Sequence, residues 1–290
     1  MNNYQWYPGH MAKALKTMRE DVKSIDVLLE LVDARAPEST RNPNIADLSK
    51  GKIHILILNK RDMADDSVTK RWMEYYKAKK INAIAIDAKK KEDINRINAL
   101  VDKLVDEKYS GADTRLAKAV EAAGGKLSER SIKIMVTGIP NVGKSTFINS
   151  FAGKAGTKTG NRPGVTKGKQ WIRIRKGREL LDTPGVLYVK PLSQESGMRL
   201  AFIGSLNDNN LNIDELALDL VKWIIPAYPG SIINRYEVPE EEPLETMEAI
   251  GERRGALKRG GIIDYEKTAG IIMDDFRNGR LGEMSLERPE

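Results

Sequence analysis

GIPNVGKS, residues Gly138–Ser145, matches G-x-x-x-x-G-K-[ST] at every constrained place. An apolar run, IKIMVTG (Ile132–Gly138), leads into it, and GKSTFINSFAG leads out with helical spacing. Strand, glycine loop, helix is the context in which this pattern cradles phosphates; a chance glycine turn rarely has both flanks. The glycines let backbone N–H groups wrap phosphate oxygens, and the helix start contributes its positive dipole end. Asn141, Val142, Gly143, Lys144, Ser145 and Thr146 form the expected cradle. Lys144 would pair with the β- and γ-phosphates, and the Ser145 hydroxyl would ligate Mg²⁺.

Downstream, GRELLDTPG reads as a strand ending on D-x-x-G, Asp182 to Gly185. Asp182 is expected to hold Mg²⁺ and the Gly185 N–H to sense the γ-phosphate. Between the two motifs lies RPGVTKG, whose Thr166 is the candidate for a mobile metal-binding threonine, although a Pro-Gly turn alone could explain the segment. Upstream, HILILNKRD (His54–Asp62) ends an apolar run on N-K-x-D. An aspartate there can accept from both the N1–H and the N2–H₂ of guanine, a pair that adenine does not offer. Asn59, Lys60 and Asp62 are therefore the expected base readers. Asp87, Ala88 and Lys89 follow the next apolar run, where a Ser-Ala-Lys loop would back the base, with aspartate replacing the serine.

The base reader thus precedes the phosphate loop, the reverse of the common order. VLLELVDA (Val27–Ala34), IHILILNK (Ile53–Lys60) and INAIAIDA (Ile81–Ala88) are short runs rich in branched residues, separated by helix-period segments. That alternation predicts an α/β fold, a mostly parallel sheet with helices on both faces. In such a sheet every ligand loop emerges at the carboxyl edge of the strands, whatever their order along the chain. Joining the old ends and opening new ones leaves the site intact, and residues Ser110–Ser131 would be the join. The chain is read as a circularly permuted P-loop GTPase domain over residues 1–190. A small all-α domain, 191–290, is expected to follow, where apolar residues recur at helical spacing.

WYPGHMAKA near the start, DARAP after the first strand, GIPNVGKST, RPGVTKG and DTPGVL together resemble the ribosome biogenesis GTPase A family, over essentially the whole chain. The resemblance implies a GTP-hydrolysing factor in late assembly of the large (50S) ribosomal subunit. Such a factor binds pre-ribosomal RNA and is stimulated by the particle. It also implies RNA docking by the helical domain, for which ERRGALKRGG offers Arg253, Arg254, Lys258 and Arg259 as a basic face at helical spacing; plain solvent-facing charge is the alternative. A small-subunit assembly GTPase and a GTP-dependent RNA-binding scaffold are the competing readings.

In Ras-like enzymes a glutamine directly after D-x-x-G positions the attacking water. Val186 and Leu187 stand there instead, and an apolar side chain cannot orient water. His10, in YPGHM, is one of two histidines and the candidate general base; capping a helix or touching RNA are its alternatives. The other, His54, lies inside a strand and reads as structural. With Lys144 and Thr166, His10 completes the expected catalytic set. Asn141 offers an amide oxygen to a K⁺ ion, whose charge could stand where an arginine finger would. Arg35 and Arg41, flanking APEST, are cations that could meet phosphate or RNA.

Charge is lopsided along the chain. Residues 1–200 carry 38 Lys and Arg against 23 Asp and Glu, whereas residues 201–290 carry 10 against 18. The basic part suits a polyanion. Nine basic residues and no acid fall between Lys154 and Arg178, among them Lys167, Lys169 and Arg173, the candidate RNA contacts. Trp171 within that segment could stack on a base or face the core. The absence of cysteine excludes disulfides and thiolate metal sites. No apolar stretch approaches the roughly 20 residues a bilayer demands. A cytoplasmic protein, monomeric off the ribosome and free of membrane partners, is expected.

Overall fold

A computed structural model describes residues 17–109, 131–153, 171–174, 177–182 and 193–290. Among the described residues six strands form one sheet: β1 (Val27–Asp33), β2 (Ile53–Asn59), β3 (Ala83–Ala85), β4 (Ile132–Gly138), β5 (Trp171–Ile174) and β6 (Arg178–Asp182). Their order across the sheet is β3-β2-β1-β4-β6-β5. All pairings are parallel except β5 with β6, a hairpin at the edge. The third apolar run contributes a shorter strand than its length suggests. Past Ala85 the Ile86 N–H still donates to the Leu58 carbonyl at 2.9 Å, but regular strand ends there as Asp87 and Ala88 turn towards Asn59.

Both faces of the sheet are covered, as parallel sheets require. Every residue of β1 is buried. Val27, Leu29, Leu31, Ile55, Ile57, Ile134 and Val136 face one side. There they meet α5 (Lys91–Tyr109) and α6 (Lys144–Ala152) through Ile97, Val101, Phe147 and Phe151. Val32, Leu56 and Leu58 face the other side, against Trp72 and Tyr76 of α4 (Asp66–Ala78). Leu28 and Met135 on that second side meet Met18 and Val22 of α1 (residues 17–23) and Ile45 of α3 (Pro43–Leu48). Trp171 packs at the rim of that cluster with the Lys133 ammonium 5.3 Å from its ring, so its neighbours are core residues and a lysine. The short α2 (Pro37–Thr40) follows β1.

From Gln194 onward the described residues are helical: α7 (Gln194–Phe202), α8 (Ile213–Ala227), α9 (Ser231–Tyr236), α10 (Pro243–Arg253) and α11 (Tyr265–Arg277). Leu200, Phe202, Ile224, Met247 and Phe276 belong to the same apolar cluster as Leu31 and Val136. The helices are therefore packed onto the sheet layer and share its core. Helix α10 stops at Arg253, and a tight hairpin follows, with Leu257 bridged to Ile263 and the Lys258 N–H donating to Ile262 O at 2.7 Å. None of the helices among the described residues is long and apolar enough to cross a membrane.

Candidate nucleotide site

The carboxyl ends of β1, β2, β3, β4 and β6 point to one edge, which gathers Asp33, Asn59, Asp87, the phosphate loop and Asp182. Strand β1 lies between the base-reader strand β2 and the phosphate-loop strand β4. Two side chains nevertheless span that gap. Asn59, 2% exposed, donates from Nδ2 to the Val142 carbonyl at 2.8 Å and accepts at Oδ1 from the Ala88 N–H at 3.1 Å. One amide thus ties the base-reader turn to both the phosphate loop and the base-support loop. Lys60, in the left-handed region at φ 59°, donates from Nζ to the Asn141 carbonyl at 2.5 Å. Asp62 lies exposed just beyond, in the turn Arg61–Met63.

The loop needs its glycines for space. A Cβ on Gly143, whose φ is 89°, would lie 2.4 Å from Asn59 Nδ2, and one on Gly138 would lie 2.7 Å from the Leu31 carbonyl. Gly143 precedes α6 and offers no side-chain cap, and the start of that helix turns its positive dipole end towards the loop, as anion sites do. Ser145 and Thr146 are exposed in this first turn. The Ser145 hydroxyl is a hard oxygen donor, and β6, parallel to β4, ends on Asp182 at the same edge. Mg²⁺ takes such donors together with phosphate oxygens, so the residues present suit it.

Asp87 is 8% exposed, and its carboxylate accepts from the Lys89 N–H at 2.9 Å while its own N–H donates to Asp93 at 2.8 Å. A hydroxyl-sized acceptor at this place would hold the same turn, which accounts for aspartate in place of serine. Lys89 is exposed beside it.

One site residue, Asp33, carried no assigned role in the sequence. Asp33, fully buried, accepts from Arg35 Nε at 3.0 Å and Nη2 at 2.9 Å, and pairs with Lys60 Nζ at 3.0 Å. Burial alone would raise its pKa, but the Arg35 and Lys60 charges outweigh that and hold the carboxyl well below the usual range. Arg35 is 1% exposed and also donates to the Phe276 carbonyl at 3.0 Å. This corrects its expected contact with external phosphate or RNA: the guanidinium is consumed inside the fold. Arg41 is partly exposed and lies near Glu30 and Glu38. A buried acid closing an apolar strand, as in DARAP, was the signal available for Asp33.

The expected basic face of ERRGALKRGG is likewise redrawn. Because α10 ends at Arg253, that residue pairs with Glu237, and Arg254 lies over the Tyr236 ring at 5.1 Å. Lys258 and Arg259 occupy the hairpin turn with Gly260 and Gly261, beside the exposed Ile262. Arg173 is 91% exposed on the edge strand. His54 is held by Glu30 at 2.9 Å, consistent with a structural histidine. His10, Thr166, Lys167, Lys169, Gly185 and Val186 lie outside the described residues, as does all but the last residue of the expected join Ser110–Ser131.

The phosphate loop also touches the helical region. Ser205 Oγ donates to the Pro140 carbonyl at 2.9 Å, and Asn141 Nδ2 donates to the Gly204 carbonyl. A cleft of about 520 Å³, lined by Lys60, Asn141, Gly204, Asp208 and Arg277, opens between them.

The family model described as "50S ribosome-binding GTPase" matches residues 133–250. Ribosome biogenesis GTPase A of Bacillus cereus is 44% identical over 99% of this chain and 94% of its own length. The chain belongs to the ribosome biogenesis GTPase A family. It is a GTPase, and GTP is its substrate. The Thermotoga maritima family relative is 31% identical over 98% of this chain and 94% of its own length. The crystal structure of GNP-bound YlqF from T. maritima superposes with a TM-score of 0.64 at 26% identity, covering 96% of this chain and 99% of that one. The fold is that of a permuted P-loop GTPase with a helical C-terminus.

Proposed function

We propose that this GTPase is an assembly factor for the large ribosomal subunit, gripping the immature particle as the GTP form and loosening from it on hydrolysis. The observation that carries the nucleotide part is the Asn59 amide, which joins the base-reader turn to the phosphate loop and so gives one guanine nucleotide two ends to be held by. The ribosomal part is supported by the names of its relatives, which include mitochondrial ribosome-associated GTPase 1 of Xenopus tropicalis, 33% identical over 97% of this chain.

In this reading Asp62 and the loop Asp87–Lys89 select guanine, and the phosphate loop Asn141–Thr146 holds the phosphates. Mg²⁺ would be held by Ser145, Thr166 and Asp182, neutralising the phosphate charge, with Gly185 sensing the γ-phosphate. Lys144 stabilises charge on the transferred group. His10 holds the attacking water in the place left by Val186, and the Asn141 oxygen would be the ligand for K⁺, whose charge would stand where an arginine finger does. Lys167, Lys169 and Arg173 face ribosomal RNA, and the hairpin cations Lys258 and Arg259, with Arg253 and Arg254 behind them, form a second contact. Division near residue 190, a monomer off the particle and a cytoplasmic location complete the proposal.

The test is GTP turnover with purified large and small subunits, for the wild type and His10→Ala. Stimulation by the large subunit alone supports the assignment; stimulation by the small subunit alone, or by neither, favours one of the competing readings. A His10→Ala protein that binds nucleotide normally yet turns over near the intrinsic rate of unaided GTPases, roughly 10⁻⁴ to 10⁻² per second, places His10 in the chemistry. Undiminished stimulation removes it.

A further inference from the structure

The chain does not end at its last helix. After α11 it turns at Gly279, packed so tightly that a Cβ there would lie 2.9 Å from the Met63 side chain. It then runs back across the loop that presents Asp62. The Met284 N–H donates to the Met63 carbonyl at 3.0 Å, and the Asp65 N–H donates to Ser285 Oγ at 3.2 Å. Leu286 N–H donates to the Arg35 carbonyl at 2.7 Å. Met284, Ser285, Leu286 and Glu287 are all buried.

This strap is itself pinned on both sides. The Glu287 carboxylate accepts from the backbone N–H groups of Glu38 and Ser39, at 2.8 and 3.0 Å, and pairs with Arg199 of α7 at 3.3 Å. The Trp72 indole donates to the Glu287 carbonyl at 3.3 Å. Tyr228, just after α8, exchanges hydrogen bonds with the Ser285 backbone, accepting from its N–H at 2.8 Å.

Asp62 therefore sits between two clamps. Asn59 and Lys60 fasten the start of its turn to the phosphate loop, while Met63 and Asp65 fasten its end to the strap. Asp65 also caps α4, its carboxylate accepting from the Ser67 and Val68 N–H groups, so the strap holds the point where the turn becomes a helix. A carboxylate that must accept two parallel hydrogen bonds from one base edge is sensitive to small displacements, because a misplaced acceptor leaves polar groups unpaired.

We propose that the C-terminal strap is a guanine-specificity element, in which Ser285 and Met284 act as positioning residues for Asp62. This rests on the reading of Asp62 as the guanine reader.

Equilibrium binding of GDP and of inosine diphosphate, which lacks the N2 amino group, tests it with the full-length chain. Wild type is expected to prefer GDP, and Asp62→Asn to lose that preference. Ser285→Ala, which deprives the Asp65 N–H of its acceptor, is expected to reduce the GDP-to-IDP preference roughly three- to tenfold. Its affinity for IDP should stay within about twofold. Met284→Pro, which removes the N–H given to Met63, should act in the same direction. If both nucleotides weaken equally, or the preference is unchanged in both variants, the strap is structural only and the proposal fails. If wild type itself does not distinguish GDP from IDP, the guanine-reader assignment fails first and takes the proposal with it.

Discussion

Replacing Asp33 by alanine should cost this protein a large part of its stability. The carboxylate has no solvent exposure and neutralises two cations at once, the 1%-exposed Arg35 and Lys60 at 3.0 Å. Its removal leaves Arg35 as a buried charge facing the Phe276 carbonyl and ring, neither of which carries a neutralising charge. Breaking a buried pair from one side costs about 3–5 kcal/mol, against a total that for folded chains is typically about 5–15 kcal/mol. With a urea dependence of about 3 kcal/mol per molar, the unfolding midpoint should fall by about 1–1.7 M. A drop smaller than about 0.3 M would refute the argument. Asp33→Asn, which keeps one acceptor, should lose less, and its effect should couple to that of Lys60→Met in a double-mutant cycle.

Acidity supplies an independent check on the same carboxylate. Its folded pKa is lowered, so the stabilisation is complete above the unfolded value, about 3.9, and is lost as pH falls below it. The stability gap between wild type and Asp33→Asn should therefore hold from pH 7 down to about pH 4 and narrow only below that. A gap that widens on acidification contradicts the charge arrangement.

Gly143→Ala should lower GTP and GDP affinity at least roughly tenfold. The new methyl would collide with the Asn59 amide at a positive φ, so the loop cannot close on phosphate without breaking the bridge. A variant binding both nucleotides normally would show that the bridge is dispensable. Lys258→Glu with Arg259→Glu should weaken binding to large-subunit particles while leaving intrinsic turnover unchanged. Its salt dependence should flatten by roughly 0.7–0.9 for each phosphate that no longer meets a cation; an unaltered salt slope in a gel-shift or sedimentation titration would take the hairpin out of the interface.

Local sequence was enough for the phosphate loop, because a strand, a glycine-rich turn and a helix start are specified by neighbouring residues. N-K-x-D was legible for the same reason, and the reversed order of the two motifs was interpretable because loops of a parallel sheet share one edge. The extent of β3 was less legible, since Ile86 and Ala88 are as apolar as strand residues while lying past the end of regular strand. The basic face around Arg253 was misplaced because helical spacing was extended through Gly255, where φ is positive and the helix has already ended.

Sequence by itself determined the residue types at each strand end: G-x-x-x-x-G-K-S after one apolar run, N-K-x-D after another, and no glutamine after D-x-x-G. Only tertiary structure decided what holds those ends in register. Asp33 meets Lys60 across neighbouring strands, Arg35 spends its charge on a carbonyl 241 residues away, and Ser285 returns to Asp65 from the far end of the chain. Such contacts leave no periodicity to read, because a hydrogen bond depends on distance in space, and chain separation carries no trace of it until the sheet and helices have packed.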